Sequence, residues 1–282
     1  MKLALGTVQF GLQYGISNTK GIPTDLDLSQ IIETAVKNNI YTFDTAIAYG
    51  NAEERIAAFL PNEAQIISKF PKYSSNSELK ENIERSIIRL KQDRLYGFMA
   101  HNGDFLIENP KLWDVLVDFK TKSKIQKIGY SLYTPKQLEA LLQLDLIPDI
   151  IQIPFSLLDQ KFTPYFEELK KTNVEIHCRS VFLQGLYFLN TESLPEKLIP
   201  LKTELNQLKE IANQYKISIA DLALNFACLN KNIDKVVIGV ENEKQLTDNI
   251  NAVNHWNLDN SIFEAINAIK VTHKELLNPA NW

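Results

Sequence analysis

Two cysteines among 282 residues, with no C-x-x-C spacing, leave little material for a disulfide framework or a zinc-thiolate site. Cys178 and Cys228 each sit inside an apolar run, as a reduced cytoplasmic protein would place them. No apolar run approaches the roughly 18 residues that a membrane helix needs. The opening Met1-Lys2-Leu3-Ala4-Leu5-Gly6 has too little apolar length for a secretory leader. The expectation is a cytoplasmic protein that engages no membrane. The charge balance, 30 basic against 34 acidic residues, offers no broad basic footprint for nucleic acid. No Pro/Gly/Ser-rich linker or low-complexity tract divides the chain, so residues 1–282 read as a single domain.

What is present is alternation. Short apolar or β-branched runs predict strands at Leu3–Thr7, Thr42–Asp44, Gln65–Lys69, Tyr96–His101, Lys127–Ser131, Ile150–Gln152, Glu175–Ser180 and Lys235–Ile238. Between them, helical spacing predicts Leu28–Asn38, Asn51–Leu60, Ser77–Leu90, Asn109–Thr121, Pro135–Gln143, Thr163–Lys171, Leu201–Tyr215 and Glu243–Val253. Asp27 is expected to open the first helix, and Thr134-Pro135 reads as an N-cap followed by proline at the first helical position. Eight strand-helix units in one chain of this length predict an α/β fold, a single (β/α)8 or TIM barrel. Two extra helices, Ile219–Leu229 and Ser261–Thr272, fall near its C-terminus. The open doubly wound sheet is the alternative, but Gly6-Thr7-Val8-Gln9-Phe10-Gly11 after the first strand is no G-x-G-x-x-G.

Polar residues recur where these strands end: Thr7, Asp44, Lys69, His101-Asn102, Ser131, Gln152 and Arg179-Ser180. In a (β/α)8 barrel those ends open onto one face, where active sites are built. Each residue alone is ordinary, but together they make chemical sense. A lysine buried at a strand end needs a counter-ion, which Asp44 supplies to Lys69. A charged lysine beside Tyr49 favours the phenolate and is expected to lower its pKa. A tyrosine so placed can protonate a developing alkoxide, while a neutral His101 orients the carbonyl.

These residues resemble the aldo-keto reductases. The likeness runs through Gly6-Thr7 and Gly11, Phe43-Asp44-Thr45-Ala46, Ala48-Tyr49-Gly50-Asn51 with Glu53, Ser68-Lys69 and His101-Asn102. It continues through Ile128-Gly129-Tyr130-Ser131, Ile151-Gln152-Ile153-Pro154-Phe155-Ser156-Leu157-Leu158, Gln184-Gly185-Leu186 and Ile238-Gly239 to Gln245-Leu246 and Asn249. The resemblance implies NAD(P)H-dependent reduction of an aldehyde or ketone, without a metal. Tyr49 would be the general acid, Asp44 and Lys69 would tune it, and His101 would orient the carbonyl. It also implies a cofactor, NADP(H) or NAD(H), lying across the barrel mouth. Gly6 and Thr7 would floor that site, with Ser131 and Gln152 on the carboxamide and Arg179, Ser180 and Phe182 beside the ring. Leu183, Gln184 and Gly185 would approach the pyrophosphate. Gly239, Glu241, Gln245 and Asn249 would take the adenosine end.

Three departures from the family pattern shape the expectations. Leu132 replaces the asparagine that usually follows Ser131, which removes one carboxamide hydrogen bond. Arg179 replaces the aromatic that stacks on the nicotinamide. A guanidinium plane can also stack, can meet an anionic substrate, or can serve as a structural ion-pair partner. Where many relatives carry a base for the 2′-phosphate, this chain has Val240-Glu241-Asn242-Glu243-Lys244. That pair of carboxylates predicts that NAD(H) is accepted at least as well as NADP(H). Phe10, Tyr14, Asn102 and Tyr133 are the candidate substrate contacts, suited to a polar, sugar-like carbonyl compound. The partner is then a small molecule, the enzyme a monomer or weak homodimer. The competing reading is a nucleotide-binding regulatory or scaffold subunit that keeps the barrel with little turnover.

Overall fold

The computed structural model describes residues 1–15, 18, 21–255 and 258–282. Its eight parallel strands close into a barrel in chain order. They are β1 (Leu3–Gly6), β2 (Thr42–Asp44), β3 (Gln65–Phe70), β4 (Leu95–Ala100), β5 (Ile125–Ser131), β6 (Ile150–Pro154), β7 (Glu175–Arg179) and β8 (Lys235–Gly239). β1 pairs with both β2 and β8, which closes the ring. Around it run α1 (Val8–Gly11), α2 (Asp25–Lys37), α3 (Ala52–Ile56), α4 (Asn76–Arg89), α5 (Asp104–Glu108), α6 (Leu112–Thr121) and α7 (Pro135–Gln143). Then follow α8 (Phe166–Lys171), α9 (Lys202–Gln214), α10 (Ile219–Cys228), α11 (Glu243–His255) and α12 (Asn260–Asn267).

The period-2 alternation of each strand sorts its side chains. Leu3, Leu5, Phe43, Ile66, Phe98, Ile151 and Ile176 join the helices in one continuous core. Ile67, Met99 and Ile150, from the opposite strand faces, form a separate apolar cluster that fills the barrel itself. Cys178 and Cys228 are both free and buried. Among the described residues no helix is long and apolar enough to cross a membrane.

Local signals set the helix starts. Thr134 caps α7 and forms a reciprocal capping box with Gln137, with Pro135 in the first turn. α2 begins earlier than the sequence predicts. Thr24 is its cap, and Asp27 is the third helical residue that closes the box rather than the opener. The α4 cap is likewise Ser75, whose side chain accepts from the Glu78 amide. Where the sequence predicts β1, β4 and β7 to end at Thr7, His101 and Ser180, each strand stops one residue sooner. Thr7, His101 and Ser180 therefore stand at the start of loops on the barrel mouth. The Thr7 amide still reaches the Asp44 carbonyl at 2.9 Å, and the His101 amide the Phe70 carbonyl at 2.9 Å.

Candidate active site

The β2–α3 loop carries Tyr49 and is fixed from two sides. Along β3, the amides of Thr45 and Ile47 bond the carbonyls of Ile67 and Lys69 at 2.8 and 3.0 Å. Behind it, Gly11 and Gly50 let two loops meet backbone to backbone. A Cβ on Gly11 would lie 1.9 Å from the Tyr49 carbonyl oxygen, and one on Gly50, at φ +59°, 2.6 Å from the Gly11 carbonyl oxygen. A side chain at either position would push the tyrosine out of place. Glu53, one turn on, is buried and accepts from Ser68 Oγ at 2.6 Å, Ser86 Oγ at 2.5 Å and Arg89 Nε at 2.7 Å. It ties α3 to β3 and α4, so the loop rests on a braced wall.

Lys69 is fully buried inside the barrel. Its Nζ donates to Asp44 Oδ1 at 2.6 Å and to the Thr45 carbonyl at 2.9 Å, and lies 5.3 Å from the Tyr49 ring centroid. Gln152 donates Nε2 to the other Asp44 oxygen at 2.7 Å. Both carboxylate oxygens are thus held, which offsets the cost of burying the charge. The His101 ring meets Tyr49 edge-on, with centroids 5.4 Å apart and planes at 78°. Among the described residues the Tyr49 hydroxyl has no hydrogen-bond partner, and Tyr49 lines an open cleft.

The protonation states follow from this packing. Burial, with the Lys69 and Arg179 charges, pushes His101 down to about 3, so the imidazole is neutral at pH 7. Burial and the Asp44 carboxylate push the Tyr49 phenol well up, with Arg179 opposing. The sequence predicts the opposite for Tyr49. The reason lies in geometry: the Lys69 ammonium is aimed at Asp44 and Thr45 rather than at the phenolic oxygen. A phenol so placed keeps its proton until a stronger demand appears.

The cleft, about 480 Å³, runs from Tyr49 and Asp44 past β8 to α11. Its far wall carries Glu241, Gln245, Asp248 and Asn249. Its lid is the segment after β7, where Ser180, Leu183, Gln184 and Gly185 all take positive φ. Gln184 Nε2 donates to Tyr14 Oη at 2.8 Å, so this segment and the β1 loop touch across the opening. Among the described residues buried Thr7 Oγ1 and Gln9 Oε1 have no hydrogen-bond partner, and both residues line the cleft. Gly239 keeps the floor open, since a Cβ there would lie 2.2 Å from the Gln9 amide nitrogen.

Residues 2–271 match the model of the aldo/keto reductase family. The chain belongs to that family. With it, the chain is placed among oxidoreductases of carbonyl compounds. It is 26% identical over 284 residues to the chloroplastic pyridoxal reductase of Arabidopsis thaliana, covering 85% of this chain and 76% of that protein. To the uncharacterized oxidoreductase YqkF of Bacillus subtilis it is 21% identical, covering 84% and 85%. The barrel resembles the holo form of the aldo-keto reductase AKR11C1 from Bacillus halodurans at TM-score 0.77, 19% identity and coverage of 97% and 95%. It also resembles the glycerol dehydrogenase AKR11B4 from Gluconobacter oxydans at TM-score 0.75, 18% identity and coverage of 99% and 93%. Both likenesses describe the fold.

In this aldo/keto reductase the sequence-predicted residues divide into two groups. Asp44, Tyr49, Gly6, Thr7, Gln152, Arg179, Ser180, Phe182, Gln184, Gly185, Gly239, Glu241, Gln245, Asn249 and Tyr14 all line the cleft. Lys69 lies beneath it and His101 beside Tyr49. Phe10, expected at the substrate, is instead fully buried in the core, because the short α1 turns its ring inward. Leu183 and Ser131 are buried and do not reach the cleft lining. Asn102 accepts from Gln137 Nε2 at 2.7 Å and from the Asp104 amide at 3.1 Å, which spends its carbonyl on the loop. Tyr133 lies against Arg179 rather than on the cleft. The sequence reading missed Gln9, Phe188 and Asp248. Asp248 was within reach, since Gln245, Asp248 and Asn249 share one face of α11 by spacing.

Proposed function

We propose that the chain is a nicotinamide-dependent carbonyl reductase that favours NADH over NADPH, with Tyr49 as the proton donor. The observation that carries this reading is the Asp44–Lys69–Tyr49–His101 constellation at the inner end of a cleft long enough for an extended ligand. The cleft residues fit such a cofactor. Among the described residues nothing bonds the Gln152 carbonyl, which is left for a carboxamide, and Thr7 and Gln9 present buried polar atoms that lack partners. The consecutive left-handed residues after β7 and the N-terminus of α11 suit a pyrophosphate and an adenosine end. When bound, the reduced nicotinamide would supply the hydride.

The protein's part is proton placement. Tyr49 gives its phenolic proton to the carbonyl oxygen as charge develops there. The Arg179 charge, which acts on Tyr49, then tempers the phenolate, while the Lys69–Asp44 pair beneath the ring fixes the floor on which it rests. Neutral His101 donates a hydrogen bond to the same oxygen and sets its direction.

NADH is favoured by the chemistry of the far wall. Among the described residues that line the cleft, Glu241 and Asp248 stand at the adenosine end and no cation does. Lys244, the nearest base in sequence, pairs with Asp248 at 2.6 Å. A ribose hydroxyl can donate to such carboxylates, whereas a 2′-phosphate is repelled. Parallel titrations with NADH and NADPH, followed by nicotinamide fluorescence, are expected to give the tighter Kd for NADH. Glu241→Arg should move the ratio toward NADPH by about tenfold, the worth of one charge-assisted contact. If neither nucleotide bound at millimolar concentration, the reading would fail.

A further inference from the structure

We infer that Arg179 is the anchor for an anionic group on the substrate, so that the natural substrate is a small carbonyl compound bearing a carboxylate or a phosphate. This rests on the reductase reading above and names the substrate class for that site.

Arg179 is the last residue of β7 and lines the cleft together with Tyr49. Its guanidinium carbon lies 4.5 Å from the Tyr133 ring centroid. It donates to the Leu132 carbonyl at 3.1 Å and more loosely to Ser180 Oγ at 3.3 Å. A stacked face and two bonds fix its plane while leaving N–H groups unspent, because a guanidinium has five. It sits close enough to the reaction centre that its charge acts on Tyr49, Lys69 and His101.

The neighbouring charges are already matched. Asp44 is taken by Lys69 at 2.6 Å, and buried Asp159 by Lys161 at 2.7 Å. Among the described residues no carboxylate lies within salt-bridge distance of Arg179, which disfavours the structural ion-pair role. Among the described residues that line the cleft it is the sole cation. A half-buried, pre-oriented fork with no counter-ion beside a proton donor is a built receptor for an anion. The departure from the family's aromatic at this position thereby gains a purpose. Tyr133 contributes by holding the fork, not by touching the substrate.

Two matched substrate pairs test this: benzaldehyde with 4-carboxybenzaldehyde, and glyceraldehyde with glyceraldehyde 3-phosphate. In the wild type, kcat/KM should favour the charged member of at least one pair by more than about tenfold, and the better pair distinguishes carboxylate from phosphate. Arg179→Gln should collapse that ratio by roughly 10- to 100-fold, mostly through KM, and Arg179→Lys should restore part of it. Taking ratios cancels any loss common to both substrates. Calorimetric titration of the wild type with 4-(hydroxymethyl)benzoate and benzyl alcohol keeps the test open should a variant misfold, and only the benzoate should bind measurably. Equal kcat/KM within both wild-type pairs, or a ratio unmoved by Arg179→Gln, would overturn the inference. So would a variant that loses NADH binding while keeping the ratio, which would assign Arg179 to the cofactor. Failure of the reductase reading would look different, with neither nucleotide bound and none of the four aldehydes reduced.

Discussion

The barrel carries the same four kinds of side chain at both ends of its interior, and they do different work. At the mouth are Asp44, Lys69, Tyr49 and His101. Toward the base are Glu175, Lys127, Tyr96 and His177. The metrics are almost the same: lysine to carboxylate is 2.6 Å above and 2.7 Å below, and lysine to tyrosine centroid is 5.3 and 5.4 Å. What differs is the tyrosine hydroxyl. Tyr96 donates to both Glu175 oxygens at 2.9 and 3.0 Å, so its proton is committed. Tyr49 has no such partner among the described residues and opens onto the cleft. At the mouth the carboxylate is saturated by Lys69 and Gln152, which keeps it off the phenol. The set proposed as catalytic is therefore distinguished less by its members than by which hydrogen-bonding capacity is left unspent, and where.

The strongest way to break this comparison is to remove both hydroxyls in turn. Tyr49→Phe should lower kcat by about a thousandfold, the usual worth of a general acid, while nucleotide binding persists. Tyr96→Phe should leave kcat within about twofold and instead cost about 1–2 kcal/mol of stability, the loss of a bond to a charged acceptor. Steady-state kinetics and urea unfolding of the two variants check both halves. A large kcat loss in Tyr96→Phe would show that the base is coupled to the chemistry.

The mouth was largely legible in sequence, and the base was not. Strand ends in a (β/α)8 barrel share a face, so Asp44, Lys69 and His101 could be gathered from spacing alone. Tyr96, Lys127 and Glu175 sit near strand starts, where a polar residue reads as a solvated end. Their meeting depends on barrel closure, which brings residues 79 apart within 3.0 Å. Phe10 was misplaced because α1 is a single turn, too short for spacing to show whether its aromatic faces the core or the mouth. The partner of Arg179 was equally hidden, since Tyr133 lies on a different loop and only the fold superposes them. The run of positive φ after β7 buries Leu183 but leaves Gln184 half-buried on the cleft wall, a difference that hydrophobicity alone does not reveal.

Removing the lysines sharpens the contrast in stability. Lys69 and Asp44 are both buried, at 0% and 4% side-chain exposure. Lys69→Met strands a charge in the interior and should cost about 3–5 kcal/mol, or force Asp44 to take up a proton, with turnover falling as well. Lys127 and Glu175 are more exposed, at 32% and 15%, and Glu175 keeps its Tyr96 bond without the lysine. Lys127→Met should cost only about 0.5–1 kcal/mol. Comparable losses from the two substitutions, measured by denaturant unfolding, would mean that burial does not separate the pairs.

The two ends also separate in the pH dependence of stability, each in its own window. His101 titrates near 6.5 in an unfolded chain but at about 3 in the fold, so between those values the unfolded state binds more protons. Stability from its neutral form is complete above about 6.5 and drains away as the pH falls toward 3, by at most about 1.4 kcal/mol per pH unit. Burial alone would raise Glu175, but Lys127, paired with it at 2.7 Å, and the nearby His177 at 3.6 Å prevail and hold it at about 2 against an ordinary 4.5. Its contribution is complete above about 4.5 and is lost as the pH falls toward 2. Of these two groups, only His101 should therefore respond between pH 6.5 and 4.5. His101→Gln is expected to flatten the stability curve in that interval, whereas Glu175→Gln should alter it only below 4.5. Urea midpoints taken from pH 7 to 4 decide the matter. An unchanged slope in His101→Gln would mean that His101 titrates in the fold as it does in the unfolded chain, near 6.5, and that the mouth does not hold it neutral below that pH.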